Sequence, residues 1–360
     1  MTKSLFDPID FARGEPMRNR FALAPLTNLQ SHADGMLSDD EYKWLLMRAQ
    51  GGFGLTMTCA TYVREDGKGF AGQLGICSDK HSAGLERLAH AIKEAGSLAA
   101  VQLHHAGLRS PCELIGGTPR APWADAKTDA RALSTTEVEQ VIEDFIRAAQ
   151  RAERAGFDGV ELHGAHGYLI AQFFDAENNR RSDRFGGSFE NRTRILFEII
   201  DGIRARTKSN FQLGVRLSPE RFGVTLAEAR LLAQQLLRSG KLDYLDMSLW
   251  DAFKDPVETA FAGKPLIDYF TELERGDTRL GVAGKIMDAQ TAQACIDRGA
   301  DFVIIGRGAI LHHDFPEQVK NNVRFESIAR PVTRNYLRDE GLGTAFIDYL
   351  AKGWQGFVEE

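Results

Sequence analysis

The sequence has little cysteine, and none of it is arranged to cross-link the chain or to bind a metal. Its four cysteines among 360 residues are Cys59, Cys77, Cys112 and Cys295, and no two of them form a C-x-x-C pair. Disulfide frameworks and cysteine-ligated metals need paired or clustered thiols. We therefore expect reduced thiols and no metal site.

Long hydrophobic runs and blocks of like charge are also missing. No stretch of eighteen apolar residues occurs, and the N-terminal MTKSLFDPID lacks an apolar signal segment. The 44 Lys and Arg are interspersed with 50 Asp and Glu, and the formal net charge is −6. Such a balance provides no basic patch for nucleic acid or anionic lipid. We expect a cytoplasmic protein that binds neither nucleic acid nor membrane.

The sequence does contain a regular alternation of short apolar runs and longer segments with helical periodicity. The apolar runs span residues 20–26, 54–60, 98–104, 159–165, 211–217, 243–249, 279–285 and 301–307. Strands separated by helical crossovers are parallel and buried on both faces. Eight such units favour an α/β fold closed into a (β/α)8 TIM barrel over an open doubly wound sheet. We predict a single domain of this kind.

Helix boundaries in the sequence agree with this prediction. Apolar residues recur on one helical face between 138 and 149, and Ser134 with Glu137 has the spacing of a capping box. Thr225 with Glu228 repeats that spacing. Four glycines stand where a helix should end in a left-handed residue before a strand, namely Gly96, Gly156, Gly240 and Gly299.

Two connections are long, and both follow strands. Residues 106–133 and 167–187 should therefore lie on the C-terminal face of the barrel, where long loops commonly cover an active site. Residues 1–323 are predicted to form the barrel. Residues 324–360 are predicted to be a C-terminal extension packed on the barrel or at a subunit interface.

Polar residues stand at the predicted C-terminal strand ends, where the active site of such a barrel lies. They are Thr27, Gln102, His163, Arg216, Lys285 and Arg307. Their hydrogen-bonding and cationic groups indicate a flat polar ligand across the barrel mouth. On their own, His163 and His166 are compatible with metal ligands, a buried pair or hydrogen-bond donors. Arg216 is equally compatible with a structural salt bridge.

Five motifs in this order resemble the Old Yellow Enzymes, a family of NADH:flavin oxidoreductases. They are APLT at 24–27, QLHHAG at 102–107, HGAHGYL at 163–169, RSDRFGGSFENR at 181–192 and GR at 306–307. The resemblance spans about residues 5–320. It implies that the barrel of residues 1–323 binds FMN and takes electrons from NADPH or NADH. It also implies an ene-reductase that reduces activated C=C bonds of α,β-unsaturated carbonyl or nitro compounds.

The resemblance further implies which residues hold FMN. The expected contacts are Pro25, Leu26, Thr27 and Ala60 at the flavin ring, Gln102 and Arg216 at its pyrimidine edge, and Gly284, Lys285, Gly306 and Arg307 at the phosphate. A fixed guanidinium at position 216 would stabilise the negative charge of reduced flavin. Lys285 departs from the commonest residues of the family at its position.

For the substrate, the resemblance implies three residues. His163 and His166 would donate hydrogen bonds to the carbonyl or nitro oxygen, and Tyr168 would protonate the α-carbon. A phenol has a reference pKa of about 10 and keeps its proton at neutral pH. The alternative for Tyr168 is a packing or lid residue. His104 replaces the residue that shapes the pocket in many relatives, so it should alter the pocket.

Two other functions remain open at this stage. A metal-dependent barrel hydrolase would use His104, His105, His163 and His166, and would be purified with metal. A non-catalytic flavin-binding barrel would hold FMN without turnover. The resemblance favours the oxidoreductase, with an electrophilic alkene as its small-molecule substrate, and favours a homo-oligomer.

Overall fold

The structure is a computed structural model that describes residues 3–359. Within that range eight parallel strands close into a barrel in the order β1-β8-β7-β6-β5-β4-β3-β2. Their bounds are β1 Phe21–Leu23, β2 Leu55–Tyr62, β3 Leu98–His104, β4 Gly159–Gly164, β5 Gln212–Leu217, β6 Tyr244–Ser248, β7 Arg279–Ala283 and β8 Phe302–Ile305. The predicted (β/α)8 barrel is confirmed.

Helices occupy the connections between the strands and the segment after β8. Their bounds are α1 Asp39–Gln50, α2 Ser82–Glu94, α3 Cys112–Ile115, α4 Thr135–Arg154, α5 Leu169–Phe174, α6 Phe189–Arg206, α7 Leu226–Arg238, α8 Asp268–Thr271, α9 Ala289–Asp297, α10 Arg307–Leu311, α11 Phe315–Asn321, α12 Arg334–Asp339 and α13 Thr344–Gly353. Within the described range, none of them combines the length and the apolar character needed to cross a bilayer.

Two predicted helix starts differ in detail. At α4 the capping box is complete: Glu137 N donates to Ser134 Oγ over 3.3 Å and Ser134 N donates to Glu137 Oε2 over 2.9 Å. At α7 Thr225 caps the helix, but the Glu228 carboxylate accepts hydrogen bonds from Arg192 instead. A buried arginine therefore replaces the backbone N–H that a full box would use. The four predicted helix-ending glycines are all left-handed, with φ between +67° and +102°.

Apolar side chains fill the N-terminal end of the barrel. Ile9 and Met17 pair their backbones across this end, each N–H donating to the other carbonyl over 2.9 Å. The ring of Phe11 lies 6.0 Å from that of Tyr244 and 6.5 Å from that of Phe302 inside the barrel. Because this end is plugged by apolar groups, a polar ligand site belongs at the opposite end.

The segment after residue 323 packs on the barrel beside β1 and α1. The Phe346 ring on α13 lies 5.0 Å from the ring of Trp44 on α1. Gly343 N, at the start of α13, donates to Gln30 Oε1 in the β1–α1 connection over 2.7 Å. These contacts hold α13 at the C-terminal face of the barrel.

Candidate active site

A cavity of about 590 Å³ opens at the C-terminal face of the barrel. Ten of the thirteen predicted site residues line it: Pro25, Leu26, Thr27, His166, Tyr168, Arg216, Gly284, Lys285, Gly306 and Arg307. The other three lie behind its wall, with Ala60 7%, Gln102 1% and His163 4% exposed. The fold thus brings the predicted residues together at one end of the barrel.

Three of these residues do not end a strand, and that part of the prediction was wrong. β1, β7 and β8 end two to four residues before Thr27, Lys285 and Arg307. Lys285 lies in a left-handed conformation with φ of +52°, and Arg307 begins α10. The connections, rather than the strands, carry these side chains to the mouth.

The floor of the cavity is a buried charged layer built by strand register. Arg216 on β5 pairs with Asp246 on β6 and with His163 on β4, while Gln102 pairs with Glu161. Arg216 Nε lies 3.0 Å from Asp246 Oδ2, and Gln102 Nε2 donates to Glu161 Oε1 over 2.8 Å. The layer therefore places one guanidinium on β5 between two buried carboxyl groups on the neighbouring strands, and pairs it directly with Asp246.

Burial raises the pKa of both carboxyl groups in this layer. It raises the pKa of Glu161 to about 8, with a further contribution from the negative charge of Asp246. It raises the pKa of Asp246 only to about 6, because Arg216 opposes the rise. Arg216 therefore makes Asp246 the more readily ionised of the two carboxyl groups. A guanidinium has five N–H donors, so contacts with Asp246 and Ser248 leave Arg216 donors for a ligand.

Each of the two histidines has a hydrogen-bonding partner on one ring nitrogen. Ala165 N donates to His163 Nδ1 over 3.4 Å, so the proton of His163 lies on Nε2. His166 Nε2 lies 2.8 Å from Ser248 Oγ, and the two imidazole rings are 5.0 Å apart. Burial, aided by Arg216, lowers the pKa of His166 to about 3, and burial lowers that of His163 well below its ordinary value. Both rings are neutral at physiological pH.

These buried neutral histidines should make the protein less stable in acid. Their folded-state pKa values are lowered, so below about pH 6.5 the unfolded chain binds more protons than the folded one. The free energy of unfolding should fall with decreasing pH, by up to about 1.4 kcal/mol per pH unit for each histidine. Urea unfolding between about pH 6.5 and pH 5 should show a shallower fall for His163→Asn. His90, 74% exposed, provides the control variant His90→Asn, which should keep the wild-type slope. An unchanged slope in His163→Asn would contradict this account.

Tyr168 stands beside the histidines, immediately before α5. Its ring centroid lies 5.0 Å from that of His163 and 4.4 Å from that of His104. The guanidinium of Arg109 lies 4.7 Å from the centre of the same ring. Burial raises the pKa of Tyr168 above its ordinary value. Its hydroxyl therefore holds a proton throughout the neutral range.

His104 fills the space behind Tyr168. Gln73 Nε2 donates to Ala60 O over 2.6 Å and lies 3.0 Å from His104 Nδ1, while Gln73 Oε1 accepts from Gly69 N. The amide orientation makes Nδ1 of His104 the acceptor and places its proton on Nε2. His104 is only 1% exposed and does not line the cavity, so it contacts the site through the Tyr168 ring.

Backbone strain is concentrated around the cavity. Of the seven non-glycine residues with left-handed φ in the described chain, five line it: His166, Arg221, Phe222, Trp250 and Lys285. Each such residue costs about 1–3 kcal/mol and persists only where its surroundings hold it. Clustering of this kind is typical of binding and catalytic sites.

Several residues of the site were not predicted from the sequence. Glu161 and Asp246 had a signal, because each is a charge inside an otherwise apolar strand run. Tyr349 of α13 and Trp354 just after it line the cavity, and the guanidinium of Arg307 lies 5.6 Å from the Trp354 ring centre. No local pattern indicated that this segment returns to the barrel mouth.

The chemistry of the cavity fits FMN. Five cationic side chains line the cavity, namely Arg109, Arg216, Arg221, Lys285 and Arg307. Among residues 3–359 no carboxylate lines it. A phosphate and an anionic flavin ring both need such surroundings. At Gly284 a Cβ would lie 2.6 Å from Ala252 N, so only glycine allows the backbone this approach. Lys285 Nζ lies 2.9 Å from Asp251 Oδ2, and its predicted phosphate contact would compete with that ion pair.

Comparisons with known proteins identify the family of this chain. A family model described as the NADH:flavin oxidoreductase / NADH oxidase family matches residues 4–326. The chain is 35% identical to the probable NADH-dependent flavin oxidoreductase YqiG of Bacillus subtilis, over 98% of this chain and 97% of that protein. It is 33% identical to the NADH:acrylate oxidoreductase of Vibrio harveyi, over 88% of this chain but only 33% of that longer protein.

Solved structures give the same result. An Old Yellow Enzyme homologue from Zymomonas mobilis superposes with a TM-score of 0.79 at 28% identity, over 96% of this chain and 99% of that one. Morphinone reductase superposes with a TM-score of 0.78 at 28% identity, over 97% of this chain and 96% of its own. In the part of the chain that the structure describes, no group of three or more His, Cys, Asp or Glu is placed to hold a metal ion.

Proposed function

Because the chain belongs to the NADH:flavin oxidoreductase family of Old Yellow Enzymes, which use FMN with NADH or NADPH, we propose that it is an ene-reductase. Its substrates are activated C=C bonds of α,β-unsaturated carbonyl or nitro compounds. The observation that carries this proposal is that His166 and Tyr168 line the cationic cavity with His163 directly behind them, its ring centroid 5.0 Å from each of theirs. The family assignment favours this function over the metal-dependent hydrolase and the non-catalytic barrel.

The proposed roles follow from the protonation of each side chain. Neutral His163 and His166 donate hydrogen bonds to the carbonyl or nitro oxygen, on which negative charge develops during the reaction. When bound, FMN supplies the hydride that adds to the β-carbon. Tyr168 gives its hydroxyl proton to the α-carbon, and its raised pKa keeps that proton available.

We propose the contacts with FMN from the positions of the predicted residues in the cavity. Thr27 and its neighbours Pro25 and Leu26 line the flavin end, and Ala60 and Gln102 lie just behind it. Arg216 would hold the pyrimidine edge. Gly284, Gly306 and Arg307 would hold the phosphate, with Lys285 shared between phosphate and Asp251.

We also propose that residues 324–359 act as part of the site. Tyr349 and Trp354 complete the cavity wall, so this segment shapes what enters it. The described chain therefore works as one unit, with the barrel of residues 1–323 carrying the cofactor. A homo-oligomer remains the expected assembly.

The direct test separates the two half-reactions. Protein saturated with FMN is reduced anaerobically with NADH or NADPH and then mixed with 2-cyclohexenone or β-nitrostyrene. We expect the alkene to reoxidise the flavin and to yield the saturated product, identified by chromatography. Reoxidation by oxygen but by neither alkene would refute the ene-reductase proposal.

Loss of either His163 or His166 should weaken the binding of ligands that accept a hydrogen bond through an oxygen atom. In His163→Ala and His166→Ala, the binding of phenol, which perturbs flavin absorption, should weaken, and alkene reduction should slow by about 10²–10³-fold. His90→Ala, on the exposed face of α2, is the control. Wild-type phenol affinity in both cavity variants would remove these histidines from the ligand site.

A further inference from the structure

The cavity holds more positive charge than the cofactor site uses. Arg216 contacts Asp246 and faces the pyrimidine edge of the proposed flavin site. Lys285 is paired with Asp251. Arg307 is assigned to the phosphate. These three cations are therefore accounted for by a carboxylate or by FMN.

Two arginines on the same cavity wall are left over. Arg109 and Arg221 both line the cavity, and within residues 3–359 neither forms an ion pair with a carboxylate. They lie at the end that holds the proposed substrate residues. Arg109 is 4.7 Å from the Tyr168 ring centre, and Arg221 is 5.3 Å from that of Trp250, whose ring lies 5.7 Å from His166.

Each guanidinium group has one contact that restrains it, and both side chains are exposed to solvent. Arg109 Nη1 donates to His166 O over 2.7 Å, which directs its remaining donors away from that carbonyl. Arg221 lies in a left-handed conformation with φ of +74°, and Phe222 follows it with φ of +55°. A strained backbone fixes where the side chain begins, and stacking on Trp250 limits where it ends.

We propose that Arg109 and Arg221 form an anion-binding site at the Tyr168 end of the cavity, for a carboxylate or phosphate carried by the reacting molecule. This inference rests on the proposed function for the identity of that molecule, either an activated alkene or the nicotinamide dinucleotide. Two guanidinium groups without a counter-charge attract such a group and offer it charge-assisted hydrogen bonds. The preferred substrate is then an alkene that bears a negative charge remote from its double bond, or the anion is the diphosphate of the dinucleotide.

A binding experiment tests the site without turnover. The FMN-loaded protein is titrated with 4-hydroxybenzoate and with 4-hydroxybenzamide, two phenols that differ in one negative charge, and the Kd of each is read from flavin absorption. We expect wild type to prefer the carboxylate by about tenfold or more, and added salt to weaken only that ligand. The double variant Arg109→Gln/Arg221→Gln should lose the preference and keep its affinity for the amide. Arg147→Gln/Arg154→Gln, at two exposed arginines of α4, removes the same two positive charges outside the cavity and should keep the preference.

Two kinetic measurements identify the source of the anion. If the alkene carries it, the double variant loses a preference for 4-carboxy-β-nitrostyrene over β-nitrostyrene and keeps its affinity for NADH. If the dinucleotide carries it, the affinity for NADH falls and the two nitrostyrenes are affected equally. Equal binding of the two phenols in wild type, or a preference that survives in the double variant, would overturn the proposal. If wild type prefers 4-hydroxybenzoate and the double variant loses that preference, but wild type reduces neither nitrostyrene, only the ene-reductase proposal is refuted.

Discussion

Replacing Tyr168 with phenylalanine is expected to slow alkene reduction by about 10²–10⁴-fold and to leave flavin reduction by NADH or NADPH unchanged. The hydroxyl proton is needed only when the alkene is protonated, so only that half-reaction should suffer. Phenylalanine keeps the ring contacts with His104 and His163, and the pocket should hold its shape. Anaerobic stopped-flow measurement of each half-reaction checks both expectations.

The control for this variant is Tyr42→Phe, which removes a phenolic hydroxyl on α1, outside the cavity lining. It should leave both half-reactions at the wild-type rate. Equal slowing of the two half-reactions in Tyr168→Phe would indicate a disturbed flavin site instead of a lost proton donor. An unchanged rate of alkene reduction would show that the proton comes from elsewhere.

Replacing Arg216 with methionine is expected to lower the free energy of unfolding by about 3–5 kcal/mol and to abolish retention of FMN. Asp246 is fully buried and Arg216 is the cation that keeps it ionised, so the variant leaves an uncompensated buried charge. The same change removes the guanidinium from the proposed pyrimidine site. Urea unfolding of the FMN-free protein and flavin content after dialysis measure the two effects separately.

A second variant separates folding from cofactor binding at this position. Arg216→Met combined with Asp246→Leu replaces the buried pair by apolar groups, and such replacements often restore stability. We expect the double variant to recover most of the lost unfolding free energy and still to fail to retain FMN. If it bound FMN as wild type does, Arg216 would have only a structural role.

The barrel could be predicted because buried parallel strands and amphipathic helices leave strong, local hydrophobic patterns. The errors lie at strand ends, and β1 shows why. The apolar run 20–26 includes Pro25, which has no N–H to donate to a ladder, and the strand ends at Leu23. Hydropathy does not mark where the ladder ends, because Pro25 and Leu26 continue the apolar run although they are less buried than Phe21–Leu23.

The site divides along the same line. One short motif contains His163, His166 and Tyr168, so the sequence alone could place them in the same site. Arg221 and Trp354 reach the cavity only because distant loops fold over the barrel mouth, and local periodicity carries no record of that path. The sequence did not single out Arg109 either. Its proposed role depends on the fact that it forms no ion pair in the described chain, and its neighbours in sequence do not reveal this.

The left-handed residues that line the cavity are expected to lower the stability of the protein while they hold side chains of the proposed site. Glycine would relieve the backbone at Arg221 or Trp250 at the cost of the side chain that faces the ligand. A laboratory selection for heat resistance that ignores turnover should therefore enrich glycine at these positions and yield hardier but poorer enzymes. Engineering for thermal tolerance is better directed at the helices on the outside of the barrel, where rigidity and catalysis do not compete.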